Sequence, residues 1–473
     1  MFANLKPALI ITRREVRDQF RDWRIIIPII VLTLFFPLLM NFTADLVINF
    51  VQRYDARIIG DRLIPFLLMI VGFFPISVSL VIALESFVGE KERHSIEPLL
   101  SSPLTDWQLY VGKLLASVIP PLIASFIGIA VYLFSVYMQV GWKPDLILLV
   151  QILALTTVQA LVMVSGAVVI SSLATSVRAA NLLASFIIIP MALLIQAESI
   201  MMFWARYEIL WLVIFGQIII AALLVRAGIS HFNREELLGR EMDTLNIKWM
   251  WQTFWKMFTG NARSPLDWYQ REISETLNRI RIPLILMTLV LITATLIGAC
   301  YASTNALPVE LFNTSDMGKN LFQGMEVLRF FSLEGVSWVW LHNLRAISLA
   351  TLMGIFSFGV LGVVLLLTPL AMVGYFSAIV AQTGVSPVLF ITGFVLPHGI
   401  LEIPAIILAG AAILHMGATL IAPSNQHTIG EIWLRGFADW AKIMLALVIP
   451  LLLGAATLEV FLTPTIAMFL LGR

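Results

Sequence analysis

The chain is 473 residues long, with 59% hydrophobic and 12% charged residues, a formal net charge of +1 and a mean hydropathy of +0.93. Soluble domains carry about a quarter charged residues, so this composition excludes a globular enzyme facing water all round, and the near-zero charge excludes a strongly basic nucleic-acid binder. Apolar runs long enough to cross about 30 Å of hydrocarbon recur along the whole length, which predicts an all-α, polytopic transmembrane protein of ten or eleven spans. The single cysteine, Cys300, allows no internal disulfide.

Six spans fill the first half, near 25–44, 63–84, 114–138, 146–173, 181–203 and 207–226. The run Ile25–Met40 follows more than twenty residues rich in Arg and acids, unlike a cleavable signal peptide. With the N-terminus inside, nineteen Lys and Arg residues up to Arg281 fall in the cytoplasm, among them Arg13, Arg14, Lys91, Arg93, Lys113 and Arg178. The outer loops receive five: Arg53, Arg57, Arg62, Lys143 and Arg206. That positive-inside bias predicts a multi-pass protein of the cell (cytoplasmic) membrane with a cytoplasmic N-terminus.

Residues 231–281 are charged, aromatic and without a span, and read as a cytoplasmic connector between a first membrane domain, 1–230, and a second, 282–473. Trp249, Trp251 and Trp255 beside Lys248 and Lys256 suit an interfacial helix. Leu266, Tyr269, Ile273, Leu277 and Ile280 recur at helical spacing, giving a second amphipathic helix, either packed under the membrane domain or offered to a partner. A span near 282–302 then leads to a polar loop, about 304–341, followed by apolar segments near 343–367, 369–395, 397–421 and 442–466. Gly374, Gly384 and Pro387 break the 369–395 segment, which either crosses once or returns as two half-helices, so the side of the C-terminus stays open.

The loop between spans two and three reads Glu90-Lys91-Glu92-Arg93-His94-Ser95-Ile96-Glu97-Pro98-Leu99-Leu100-Ser101-Ser102-Pro103-Leu104, then Trp107 to Lys113. It resembles the loop of type-2 ATP-binding-cassette exporter permeases, in which an acidic-basic run and a Thr-Leu-Glu-x-Leu-Leu-x-x-Pro pattern precede a Gly-Lys before span three. Ser95 replaces the usual Thr, whereas Glu97, Leu99, Leu100, Pro103, Gly112 and Lys113 match. The N-terminal segment with Arg13, Arg14, Glu15, Arg17, Asp18, Arg21 and Asp22 is similar to that family's amphipathic elbow, and Phe232 to Leu238 to its ending after span six. The resemblance covers about 1–240. It implies a coupling loop, carried by Glu90, Arg93, Ser95, Glu97, Leu99, Leu100 and Pro103, seated on a separate ATPase subunit. It also implies pairing with a second copy or a second permease. No Gly-x-x-x-x-Gly-Lys-Ser/Thr loop is present, since Gly112-Lys113 and Gly318-Lys319 lack the upstream Gly and the hydroxyl, so ATP hydrolysis falls to the partner and no cofactor is expected.

Further on, Leu396-Pro397-His398-Gly399-Ile400-Leu401-Glu402-Ile403-Pro404-Ala405 strongly resembles the central motif of the stage II sporulation protein M family, with His342, Asn343, Arg345, Gly354, Gly359 and Gly362 similar to its preceding span. This resemblance covers about 265–470. It implies an integral membrane protein linked to envelope remodelling, without fixing an activity. Read from the residues, His398 and Glu402 stand four apart and share one helical face, and ionisable groups inside a span are functional candidates. Three readings are open: a structural hydrogen bond, a proton or polar-substrate station in which Glu402 is held by His398 or Arg345, and a metal site. The last is disfavoured because His415 lies seventeen residues on, about 25 Å along a straight helix, so no metal is expected.

Phe394-x-x-x-His398 and Glu235-Glu236-x-x-x-Arg240 also fit the pattern of intramembrane peptidases related to prenyl-protein proteases, but the third, His-x-x-x-Asn, element is missing. No HExxH, Gly-x-Ser-x-Gly or Cys/His cluster supports another hydrolase. The sequence therefore favours a non-enzymatic permease subunit in contact with membrane lipid, fused to a sporulation-M-like domain. A non-transporting scaffold of an envelope complex is the alternative, and the peptidase the enzymatic one.

Overall fold

A computed structural model of the chain describes residues 5–53, 57–92, 102–174, 176–232, 247–304, 331–382, 384, 386–421 and 429–470. The described residues are 91% helical and contain no strand, and ten helices among them are long and apolar enough to cross a membrane. The described residues up to Phe232, with Ile421, form one compact unit, and those from Ile247 onward the other.

The first unit contains α1 (Lys6–Gln19), α2 (Trp23–Arg53), α3 (Arg57–Glu92), α4 (Asp106–Val140), α5 (Leu146–Leu173), α6 (Val177–Phe203) and α7 (Tyr207–His231). Helix α3 is its hub, packing against α2, α4, α5 and α6. The reason lies in composition: Leu67, Leu68, Met69 and Val71 are all buried and meet Ile129 and Tyr132 of α4 and Ile152 and Leu155 of α5. Helix α2, by contrast, turns Ile27, Ile30, Leu34 and Leu38 outward. Apolar side chains that would be a liability in water are the expected surface of a helix facing lipid. Helix α4 starts where Thr105 N donates to Gln108 Oε1 at 3.1 Å, and stops at Gly141, whose φ of 70° only glycine adopts at no cost.

The second unit opens with α8 (Ile247–Thr259) and α9 (265–279), then α10 (Arg281–Thr304), α11 (Leu333–Phe356), α12 (Val360–Gln382), α13 (Pro387–Ile421) and α14 (429–470). Single π-turns interrupt α9 at Trp268–Ile273, α13 at Ile391–Val395, and α14 at Met444–Val448 and Leu458–Leu462. Ala405, Ala409, Ala411, Ala412 and Ile413 of α13 are buried at the centre, among Ile347, Leu366, Leu370 and Leu452 from the surrounding helices. Helices α10 and α12 touch backbone to backbone: a Cβ at Gly298 would overlap Ala371 O, and one at Gly374 would overlap Thr295 O. Small residues at the crossing permit that approach, which is how helices gain packing where lipid removes the hydrophobic drive.

The helix boundaries after residue 330 differ from those expected. Helix α11 already begins at Leu333, capped by Ser332, whose side chain accepts from Gly335 N. One break falls at Ser357–Gly359, where none was expected. The other lies between Gln382 and Pro387, inside the 369–395 segment at the expected Gly384 and Pro387, whereas Gly374 sits within continuous α12. The first turn is buried against α13, with Gly359 on Leu414 and Gly417 on the Phe358 carbonyl. Ser357 Oγ accepts from Leu361 N and Gly359 takes a φ of 93°, but both residues stand in an otherwise apolar run, where Ser and Gly equally serve helix packing.

Candidate functional sites

In the first unit, the end of α3 is gripped from several sides. Ser171 of α5 accepts from Phe87 N and Val88 N, both at 3.1 Å, and donates to Leu84 O at 2.6 Å. Glu92 accepts from Val177 N at the start of α6, 2.8 Å away. Helix α1 lies against the start of α4: Thr12 donates to Gly112 O at 3.0 Å, and a Cβ on Gly112 would come within 3.0 Å of Ala8 O.

Lys113 joins these pieces. Only 1% exposed, its ammonium reaches Glu90 at 2.8 Å, Ser86 O at 2.8 Å and Glu15 at 3.8 Å, and it lies 5.2 Å from the Phe87 ring centre. A buried ammonium needs this many acceptors, because desolvation would otherwise exceed its Coulombic gain. Glu90 is thus tied to α4 and is not a free loop charge. Pro103 stands exposed just before the Thr105 start of α4. Arg93, Ser95, Glu97, Leu99 and Leu100 lie outside the described residues.

Deeper in the same unit, Glu198 of α6 is fully buried between Gln159 of α5 and Gln217 of α7, whose amides donate to its two carboxyl oxygens. The sequence reading passed over this group, although a lone Glu within a span was itself a signal.

In the second unit the structure brings His398 and Glu402 together and adds partners the sequence did not suggest. His398 Nε2 is 3.7 Å from Glu402 Oε2. Asn343 of α11 donates to Glu402 Oε1 at 3.2 Å. His398 Nδ1 lies 3.1 Å from Thr463 Oγ1 in the last part of α14. Glu459, in the π-turn at Leu458–Leu462, joins the same group: ligand atoms of His398, Glu402 and Glu459 all lie within 4.8 Å of one another. All three side chains are half-buried. Arg345 is exposed on α11 and is not among the partners of Glu402; Asn343, two residues earlier, takes that place.

A separate ionic cluster holds the amphipathic start of α14 to α9. Arg279 meets Asp439 at 2.8 Å and Glu275 at 2.7 Å, His415 Nε2 meets Asp439 at 3.4 Å, and Lys442 meets Glu272 at 2.7 Å. Burial works against the Arg279 charge, but hydrogen bonding to Asp439 and the nearby acids outweigh it and raise its pKa above the ordinary value. Beside this cluster, Phe254, Phe258, Trp268, Phe437 and Trp440 stack into one aromatic seam, and Trp251 of α8 stays exposed.

Comparison with known proteins separates the same two stretches. Residues 9–205 match the family described as ABC-2 family transporter protein, and residues 286–464 match the stage II sporulation protein M family. No curated protein matches the chain.

Proposed function

We propose that this chain, an ABC-2 transporter segment continued into a stage II sporulation protein M segment, is the membrane permease subunit of an ATP-driven exporter whose ATPase is a separate polypeptide. The observation that carries the proposal is the braced end of α3. A coupling loop transmits the motion of a partner only if both its ends are anchored in rigid structure. Here one end, at Glu90 and Glu92, is bound to α4 and α6, and the other leads into the start of α4, on which α1 is seated. Residues 93–101 between these anchors carry Glu97, Leu99 and Leu100, the coupling pattern of the exporter family.

In this reading the chain sits in the cytoplasmic membrane with its N-terminus and the 93–101 loop in the cytoplasm, and works as a homodimer or with a second permease. Residues 1–230 form the permease domain, 231–281 the connector and 282–473 the sporulation-M-like domain.

Leu99 and Leu100 are adjacent bulky side chains in a charged loop and would be the apolar anchors, with Glu97 orienting the loop or facing a basic patch on the partner. The test is cross-linking in native membranes from single cysteines placed at positions 95 to 100, read by identifying the adducts. An ATPase adduct that disappears in the Leu99→Asp/Leu100→Asp variant is the expected result, with Arg93→Ala having a smaller effect, because a rim charge mainly tunes association rate. Absence of any ATPase adduct, with good expression and efficient linking elsewhere, would reduce the first unit to a permease-like fold serving as a scaffold.

A further inference from the structure

We infer that His398, Glu402 and Glu459 form a binding site for one divalent first-row transition-metal ion of the zinc class, within the second membrane unit. Such a site would stand whether or not the first unit is a permease. Thr463 Oγ1 lies 3.3 Å from the Leu458 carbonyl, to which it donates. With its single proton directed there, the hydroxyl accepts on the side of His398 and the ring donates from Nδ1 across the 3.1 Å contact. In the neutral ring, Nε2 then carries the lone pair. That lone pair faces Glu402 Oε2 at 3.7 Å, with Glu459 close by.

Two carboxylates and an imidazole lone pair converging on one point repel one another unless something positive lies between them. Among the described residues, the contacts of the three supply no Lys or Arg: Glu402 is met by the Asn343 amide and His398 by Thr463. A zinc-class ion bound at about 2.1 Å holds tetrahedral ligand atoms about 3.4 Å apart. The observed 3.7 Å between Nε2 and Oε2 is close to that, and the spread of up to 4.8 Å to Glu459 closes with a rotamer adjustment. A doubly charged cation also cancels both carboxylate charges, the role that protons otherwise fill for acids within a bilayer.

The surroundings have the form expected around a metal ligand. The imidazole is oriented by a hydrogen bond on its far nitrogen, and the carboxylate by an amide, an arrangement that commonly fixes ligand direction. Donor chemistry of one nitrogen and two carboxylate oxygens suits zinc, cobalt, manganese or ferrous iron over soft cuprous copper, and leaves a fourth position for water. A π-turn places Glu459, in keeping with the frequency of such turns at functional sites.

The experiment uses the full-length chain, purified in detergent without a histidine tag, stripped with chelator and titrated with Co²⁺. Expected is one Co²⁺ per chain with ligand-field bands of a tetrahedral nitrogen–oxygen site, displaced by Zn²⁺. The isosteric Glu402→Gln/Glu459→Gln variant should lose the bands, and Thr463→Val should weaken binding about tenfold by freeing the ring. Helicity and monodispersity of each variant show whether it folded, and the wild-type titration decides by itself if one does not. No stoichiometric Co²⁺ binding by the folded wild type would overturn the inference and leave a proton-sharing or His⁺–carboxylate cluster. Bands that survive in the double variant would overturn it as well, placing the ion elsewhere, for example at His415 and Asp439 or at Cys300.

Discussion

Burying the Glu198 carboxyl in α6 takes two amide partners, Gln159 and Gln217, each from a different helix. Replacing it with Leu strands both amide donors in a fully buried site, at about 1–3 kcal/mol for each unsatisfied group. Replacing it with Gln keeps an acceptor in place. Thermal unfolding in detergent should therefore show Glu198→Leu well below wild type and Glu198→Gln between the two; equal midpoints for both variants would contradict this accounting. Individual residues were unevenly legible in the sequence. His398 and Glu402 could be paired because four residues is one helical turn. Glu459 could not be joined to them, nor Glu198 to its glutamines, because these partners are brought together only by helix packing. Arg345 offered the opposite charge, yet the side chain that reaches Glu402 is Asn343, two residues earlier on α11.

At the scale of helices, the joint between α9 and α14 rests on the Lys442–Glu272 pair, with side chains 2% and 14% exposed. Removing one partner leaves a charge in a poorly solvated place, at about 3–5 kcal/mol, whereas replacing both with apolar residues is often neutral. A cycle of Lys442→Met, Glu272→Leu and the double variant, followed by thermal unfolding, should show the double more stable than Lys442→Met alone. Additive losses would mean that the two groups act separately. The helices themselves were largely readable from hydropathy, since a lipid-facing segment must be apolar over its whole length. The turn at Ser357–Gly359 was not, because it is buried against α13 in an apolar run, and an isolated Ser and Gly are as common where membrane helices pack. Nor does hydropathy register π-turns, which add a residue to a helix without changing its composition.

For the whole molecule, the Lys and Arg asymmetry gives a topology that labelling can check. Cys300 is exposed, so the background for that experiment is Cys300→Ser. Single cysteines at positions 94 and 260 should then react only from the cytoplasmic side, and one at position 55 only from outside. External labelling at 94 would invert the topology and remove the coupling loop from reach of any cytoplasmic ATPase. The two compact units on one chain carry a further consequence, which is one of stoichiometry. Covalent continuity fixes their ratio at one to one, whatever the expression level. It also keeps each at an effective concentration on the order of millimolar near the other, the range reached by short tethers. If two copies of the first unit assemble around ATPase subunits, two copies of the second arrive with them. Any ion or envelope partner held by the second unit would then be delivered in fixed proportion to the transporter.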